Sequence, residues 1–154
     1  MPGIWLDADA CPTPIRELLY RAAKRTNTHL TVVANAPIRV PDDPLFSSVV
    51  VPPRADAADD HIAEQCEAGD LVITADVPLA ARIVEKGATG LNPRGELYTE
   101  ENVAACLAMR NLMDELRGGG LVQGGPAPHQ TTHTQSFANA LDRYLTQMVR
   151  ARGA

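Results

Sequence analysis

Residues 4–19 read IWLDADACPTPIRELL. Three apolar residues end abruptly at Asp7, as a buried central strand does. Thr13 then reads as a helix N-cap with Pro14 in the first helical position. Ile15, Leu18, Leu19, Ala22 and Ala23 follow at i, i+3, i+4, i+7 and i+8, one buried helical face. Arg16, Arg21, Lys24 and Arg25 fall largely on the other faces. A strand, an acidic turn and a helix in immediate succession are half of a βαβ unit.

The same grammar repeats outward. Leu30–Ala34 and residues 48–51 read as strands, separated by a loop holding Pro37, Pro41 and Pro44. Asp56 stands where it can cap a second helix, in which Ala58, Ile62 and Cys66 recur at i, i+4 and i+8. Gly69-Asp70 turns the chain into a strand at residues 71–74. Pro78 opens a third helix that Gly87 ends. Thr89–Leu91 is a weak strand. Thr99 opens a fourth helix with Glu100 and Glu101 at the positive end of its dipole. Leu107, Leu112, Met113 and Leu116 are expected on its inner side. Five of the eleven glycines lie between Gly118 and Pro128, a loop. Phe137, Leu141, Tyr144, Leu145 and Met148 mark a last amphipathic helix folded back on the rest. Alternating strands and helices imply right-handed crossovers and a parallel sheet, an α/β fold. The expected organisation is a single domain, residues 1–154: a core at 1–117, a Gly/Pro-rich loop at 118–133 and a C-terminal helix at 134–152.

The chain's 154 residues suffice to bury a core. No apolar run approaches the ~20 residues of a membrane span. The N-terminus lacks the basic, apolar, small-residue order of a secretory signal, so a cytoplasmic protein is expected. Three scattered cysteines, Cys11, Cys66 and Cys106, argue against both a disulfide framework and a zinc site. The net charge of -5 argues against an extended basic footprint for nucleic acid. It leaves room for a compact site whose acids are neutralised by metal.

Acidic residues gather at one edge of the expected sheet. Sites in open parallel sheets form outside the carboxyl ends of the strands. Asp7 and Asp9 follow the first strand, and alternation along an extended segment would put both on one side. Asp76 follows the strand at 71–74. Asp56, Asp59 and Asp60 are i, i+3, i+4 neighbours at a helix start. Carboxylates this dense repel one another without a cation, and Mg2+ or Mn2+ prefers such hard oxygen ligands. Asp56, Asp59 and Asp76 each have a competing duty as helix caps, and Asp70 belongs to a turn. Arg94, in the turn Asn92-Pro93-Arg94-Gly95, can point at the same edge and meet a phosphate; Arg39 is a weaker candidate. Cys11 as a nucleophile is disfavoured by the neighbouring carboxylates. His129 and His133 read as a solvated pair.

Six ordered blocks carry a resemblance: IWLDADACP at 4–12, VVANAPIRVP at 32–41, DAADDHI at 56–62, LVITADVPLA at 71–80, NPRGELYTEEN at 92–102 and GGP at 124–126. They resemble the YaiI/YqxD family of bacterial proteins, regarded as a divergent branch of the PIN-like nucleases. The resemblance implies a three-layer α/β/α fold with a short, mostly parallel central sheet. It also implies acids at strand ends that bind Mg2+ or Mn2+ for phosphodiester hydrolysis, most simply of RNA. Asp7 matches the first acid of that pattern and Asp76 the later strand-end acid. One of Asp56, Asp59 or Asp60 would replace the helical acid, where the wider superfamily usually carries Glu; a further acid of that pattern finds no match. Two other readings remain open. A haloacid-dehalogenase-like phosphatase would use Asp7 as nucleophile, though Cys11 stands where Thr or Val is usual and no Lys precedes Asp76. A non-catalytic RNA- or protein-binding module would keep the fold without the chemistry. Whether the chain forms a homo-oligomer is left open by its sequence.

Overall fold

The computed structural model describes residues 2–120 and 129–152. Six strands form one sheet: β1 (Ile4–Asp7), β2 (Leu30–Ala34), β3 (Phe46–Val50), β4 (Leu71–Ile73), β5 (Thr89–Leu91) and β6 (Leu97–Tyr98). Five α-helices accompany them: α1 (Thr13–Thr26), α2 (Ala57–Gln65), α3 (Val77–Glu85), α4 (Val103–Gly118) and α5 (Thr131–Arg152). The spatial order is β3-β2-β1-β4-β5-β6. All neighbouring pairs are parallel except β5 with β6.

Side-chain alternation divides the core in two. Ile4, Leu6, Leu30, Val32, Leu71 and Ile73 point to the face covered by α1 and α5. Trp5, Val33 and Val72 point to the opposite face, under α2 and α3. The result is a three-layer α/β/α arrangement. Every residue of β2 is buried, as expected of a strand covered on both faces.

Several local expectations change in detail. Pro12, with φ -61 and ψ 147, is the N-cap of α1, and Thr13 begins the helix. The third strand starts at Phe46, inside the stretch read as loop, because β2 offers it a parallel partner from Leu30 onward. The antiparallel β6 is two residues long, too short for a periodic signal. Helix α4 starts at Val103 rather than Thr99; the Thr99 carbonyl instead accepts the Asn102 and Val103 N–H groups in the preceding turn. None of its residues is buried, and Leu112 is 47% exposed. Leu107, Met113 and Leu116 are only half-buried and Leu112 is exposed, because α4 packs chiefly beside α3 and not over the sheet.

Helix α5 does cover the sheet. Phe137, Leu141, Leu145 and Met148 enter the core with α1. At its end Arg152 donates to the Thr26 carbonyl at 3.1 Å and the Thr28 hydroxyl at 2.8 Å, closing the C-terminal turn of α1. Gly124 to Pro126, with the rest of 121–128, lie outside the described residues. No helix among the described residues is long and apolar enough to cross a membrane.

Candidate acidic site at the carboxyl edge

The strand order reverses between β1 and β4, and this switch point opens a crevice at their carboxyl ends. Asp7 ends β1. Alternation sets it on the Trp5 face, beneath α2 and α3. It is 5% exposed, and its Oδ2 accepts the Thr74 hydroxyl at 3.0 Å. Burial raises its pKa above 3.8; the Thr74 bond opposes that rise, while the charges of Asp9 and Asp76 add to it.

Asp76 follows β4 and caps α3, its Oδ1 accepting the Leu79 N–H at 2.9 Å. Its own N–H donates to Thr74 Oγ1 at 3.0 Å. Thr74 therefore bridges the two strand-end acids, donating to one and accepting from the other. Sequence reasoning placed Thr74 only as the end of a strand. A hydroxyl residue two positions before a strand-end Asp was the available signal.

Of the three acids at the start of α2, Asp59 is the one that meets this pair. Its carboxyl is pushed up to about 7, by burial first, then by the charges of Asp76 and Asp7, a hydrogen bond with Asp76, and Asp56. Asp59 is therefore partly protonated near neutral pH. Asp56 sits at the helix N-cap in a left-handed conformation, φ 68, exposed and making no capping bond. Asp60 pairs with Arg82 at 2.9 Å and Arg54 at 3.4 Å, contacts that hold its carboxyl below the usual range. One turn of helix thus gives neighbouring aspartates opposite environments.

Asp9 behaves differently from the expectation of simple alternation. The chain leaves β1 into a short 3-10 turn at Ala8–Ala10, which ends the extended geometry. Asp9 is exposed and accepts the Asn35 N–H at 3.1 Å, capping the end of β2. It remains near enough for its charge to act on Asp7.

The turn that carries Arg94 is built by Asn92. The Asn92 Oδ1 accepts the N–H groups of Arg94 at 2.9 Å and Glu96 at 3.0 Å, and its Nδ2 donates to the Tyr98 hydroxyl at 3.1 Å. Arg94, Pro12, Ala75, Tyr98 and His129 line a cavity of about 340 Å³. Ala75 joins Thr74 to Asp76, so this cavity adjoins the acids. Arg39 is exposed in the loop between β2 and β3. Burial pushes the Cys11 thiol up to about 12, with Arg16 opposing and Asp7 reinforcing, so it carries no thiolate at neutral pH. His129 and His133 lie with ring centroids 5.4 Å apart; the first contacts Thr134 Oγ1 and the second accepts the Gln130 N–H.

The donor chemistry fits a hard divalent cation. Asp7, Asp59 and Asp76 offer only carboxylate oxygens, and burial first, then mutual repulsion that a cation would relieve, raises the pKa of Asp7 and of Asp59. Among the described residues no three His, Cys, Asp or Glu side chains are grouped as ion ligands as they stand.

Fold and site define an α/β protein with an acidic crevice at the switch point of a parallel sheet. The model of the family described as "Uncharacterized BCR, YaiI/YqxD family" matches residues 5–147, and the chain belongs to that family. A "UPF0178 protein" of Trichlorobacter lovleyi is 58% identical over 147 residues, 96% of either chain. Proteins of the same name from Maridesulfovibrio salexigens and Psychromonas ingrahamii are 54% and 56% identical. The first covers 94% of this chain and 95% of its own length, the second 92% and 94%. No solved structure matches the chain significantly.

Proposed function

We propose that this protein is a metal-dependent nuclease that hydrolyses phosphodiester bonds of RNA in the cytoplasm. The observation that supports this reading best is the meeting of Asp7, Asp59 and Asp76, from three separate elements, at the switch point. Asp7, Asp59 and Asp76 would hold Mg2+ or Mn2+, with Asp9 and Asp56 adding charge nearby. When bound, the cation supplies Lewis acidity toward phosphate and lowers the pKa of water.

The chain's own groups do the remainder. Thr74 orients the Asp7 carboxylate and anchors the Asp76 backbone, and the Leu79 N–H holds the Asp76 carboxylate. Asp59 releases its proton near pH 7 and completes the donor set. Arg94, on the turn organised by Asn92, offsets charge on the transferring phosphate. Asp60 stays with its arginine partners, a scaffold for α2 and α3. The phosphatase reading finds its second carboxylate, Asp9, engaged by the Asn35 N–H rather than free for proton transfer.

A manganese titration followed by thermal denaturation tests the site. Millimolar Mn2+ is expected to raise the melting temperature by mass action. Asp7→Asn and Asp76→Asn each remove most of that increment, both keeping hydrogen bonds that an amide can still accept. Cleavage of a labelled RNA should require Mn2+ or Mg2+ and stop with EDTA. Arg94→Ala should cut turnover roughly tenfold to a thousandfold while sparing the metal response. An unchanged metal response in both Asp variants would overturn the ligand assignment. A metal response without RNA cleavage would leave a binding module, and a beryllofluoride adduct at Asp7 would make the protein a phosphatase.

A further inference from the structure

Charge is divided unequally between the two helical layers. Helices α1 and α5 lie on one face of the sheet and carry seven of the chain's fourteen Lys and Arg. These are Arg16, Arg21, Lys24, Arg25, Arg143, Arg150 and Arg152. The same helices hold only Glu17 and Asp142 among its nineteen acids. The protein is acidic as a whole, so this layer is a local reversal of sign.

Within that layer α5 presents a polar stripe. Ser136, Asn139, Arg143, Gln147 and Arg150 recur at steps of three and four, and all are exposed. Neither Arg143 nor Arg150 enters an ion pair among the described residues. Asp142, the one acid nearby on α5, is neutralised by Arg25 at 2.9 Å. Two cavities run along the stripe, of about 360 and 420 Å³, and both are lined by Asn139, Arg143 and Gln147. These three residues, at i, i+4 and i+8, form a ridge with one hollow on each side of it. Tyr144, Ala140 and Leu97 give the hollow at the β6 end of the stripe an apolar wall; the other is open, lined by α5 residues alone, Asp142, Thr146 and Arg150 among them.

The apolar end is joined to the acidic site. Gly95 lines it and follows Arg94 in the turn built by Asn92. Gly95 has φ +96, and a Cβ there would come within 2.7 Å of the Ser136 carbonyl. The turn is thus docked on the first turns of α5 by backbone contact. Arg94 lines the cavity that includes Ala75, and the next residue lines the hollow beside α5.

We propose that this exposed face of α5 binds a single-stranded polynucleotide and leads it to the acidic crevice. Arg143 and Arg150 contact successive phosphates, Asn139 and Gln147 donate side-chain amides, and Tyr144 stacks one base. The stripe from Ser136 to Arg150 is about 21 Å long, room for several nucleotides. The inference rests on the nuclease reading for the choice of polymer, and binding can be measured without hydrolysis.

The test is fluorescence anisotropy of a labelled single-stranded RNA of about twelve nucleotides, in EDTA, over a range of salt. Wild type is expected to bind with a clear salt dependence. The Arg143→Ala/Arg150→Ala double variant should bind at least tenfold more weakly. Its slope of log K against log salt should fall by about 1.4, two single-strand phosphate contacts. Both side chains are exposed, so the variant should melt as wild type does. Tyr144→Ala should weaken binding and leave the slope unchanged. Arg110→Ala/Arg117→Ala on α4 should change nothing. The proposal is overturned if the α5 double variant binds like wild type, or if a duplex of equal length binds as tightly. It is also overturned if wild type cleaves RNA with Mn2+ yet shows no binding in EDTA. Binding at α5 without any cleavage supports the polynucleotide face and counts against the nuclease reading alone.

Discussion

Asp7 and Asp70 stand at opposite edges of the same sheet and are almost equally buried, 5% and 7% exposed. Their surroundings are not alike. Asp70 precedes β4 at the amino edge and accepts three hydrogen bonds. These come from Gly3 N–H at 2.9 Å, Trp5 Nε1 at 3.0 Å and Glu67 N–H at 2.9 Å. It ties the start of β1 to the turn before β4. Asp7, at the carboxyl edge, has one hydroxyl donor and is crowded by other carboxylates. Asp70, enclosed by donors, stabilises the fold; Asp7, enclosed by acids, marks a candidate site.

The largest effect that would sharpen this contrast is on stability. Asp70→Ala leaves three donors without their acceptor and should cost about 3 kcal/mol or more in urea unfolding. Asp7→Asn, measured without divalent cation, should leave the midpoint unchanged or higher, because the amide still accepts from Thr74 and removes the repulsion. Equal losses in both variants would erase the distinction.

A smaller effect separates the edges by pH. Asp59 has its carboxyl raised from 3.8 to about 7 in the folded protein. The folded state therefore holds a proton that the unfolded chain has released, and stability falls as pH rises from about 4 to about 7. Asp59→Asn should flatten that decline, and saturating Mn2+ should reverse it. A metal-free wild type whose stability rises across this window, with no flattening in the variant, would contradict the assignment.

The smallest expected change is at Asp60. Its two arginine partners are exposed surface contacts, so Asp60→Asn should leave the pH profile, the metal response and RNA cleavage as in wild type. A lost metal response would move Asp60 into the site and Asp59 out of it.

Much of the acidic edge was legible in the chain because strand ends announce themselves. Apolar runs stop at Asp7 and just before Asp76, and the alternation of strands with helices places both at one edge. Asp70 was readable as structural from Gly69-Asp70. The choice among Asp56, Asp59 and Asp60 was not. Adjacent positions on a helix differ by a rotation of about 100°, and which rotation faces β1 depends on how α2 packs. Asp9 misled for a related reason: alternation holds only while the strand continues, and the 3-10 turn ends it.

Helices α4 and α5 mark the limit in the core. Both are amphipathic and both were expected to bury a face, yet α5 buries Phe137, Leu141, Leu145 and Met148 while α4 buries none. Periodicity records that a helix has an apolar side; it does not record what covers it. By itself, the sequence determined the order of strands and helices, the parallel sheet, the family and the edge at which acids gather. These depend on local period, turn chemistry and short loops. Only the tertiary structure decided that Asp59 joins Asp7 and Asp76, that Thr74 bridges them, and that the turn holding Arg94 docks on α5. Each of those contacts joins residues far apart in the chain, whose distance is set by packing across the sheet rather than by any spacing along it.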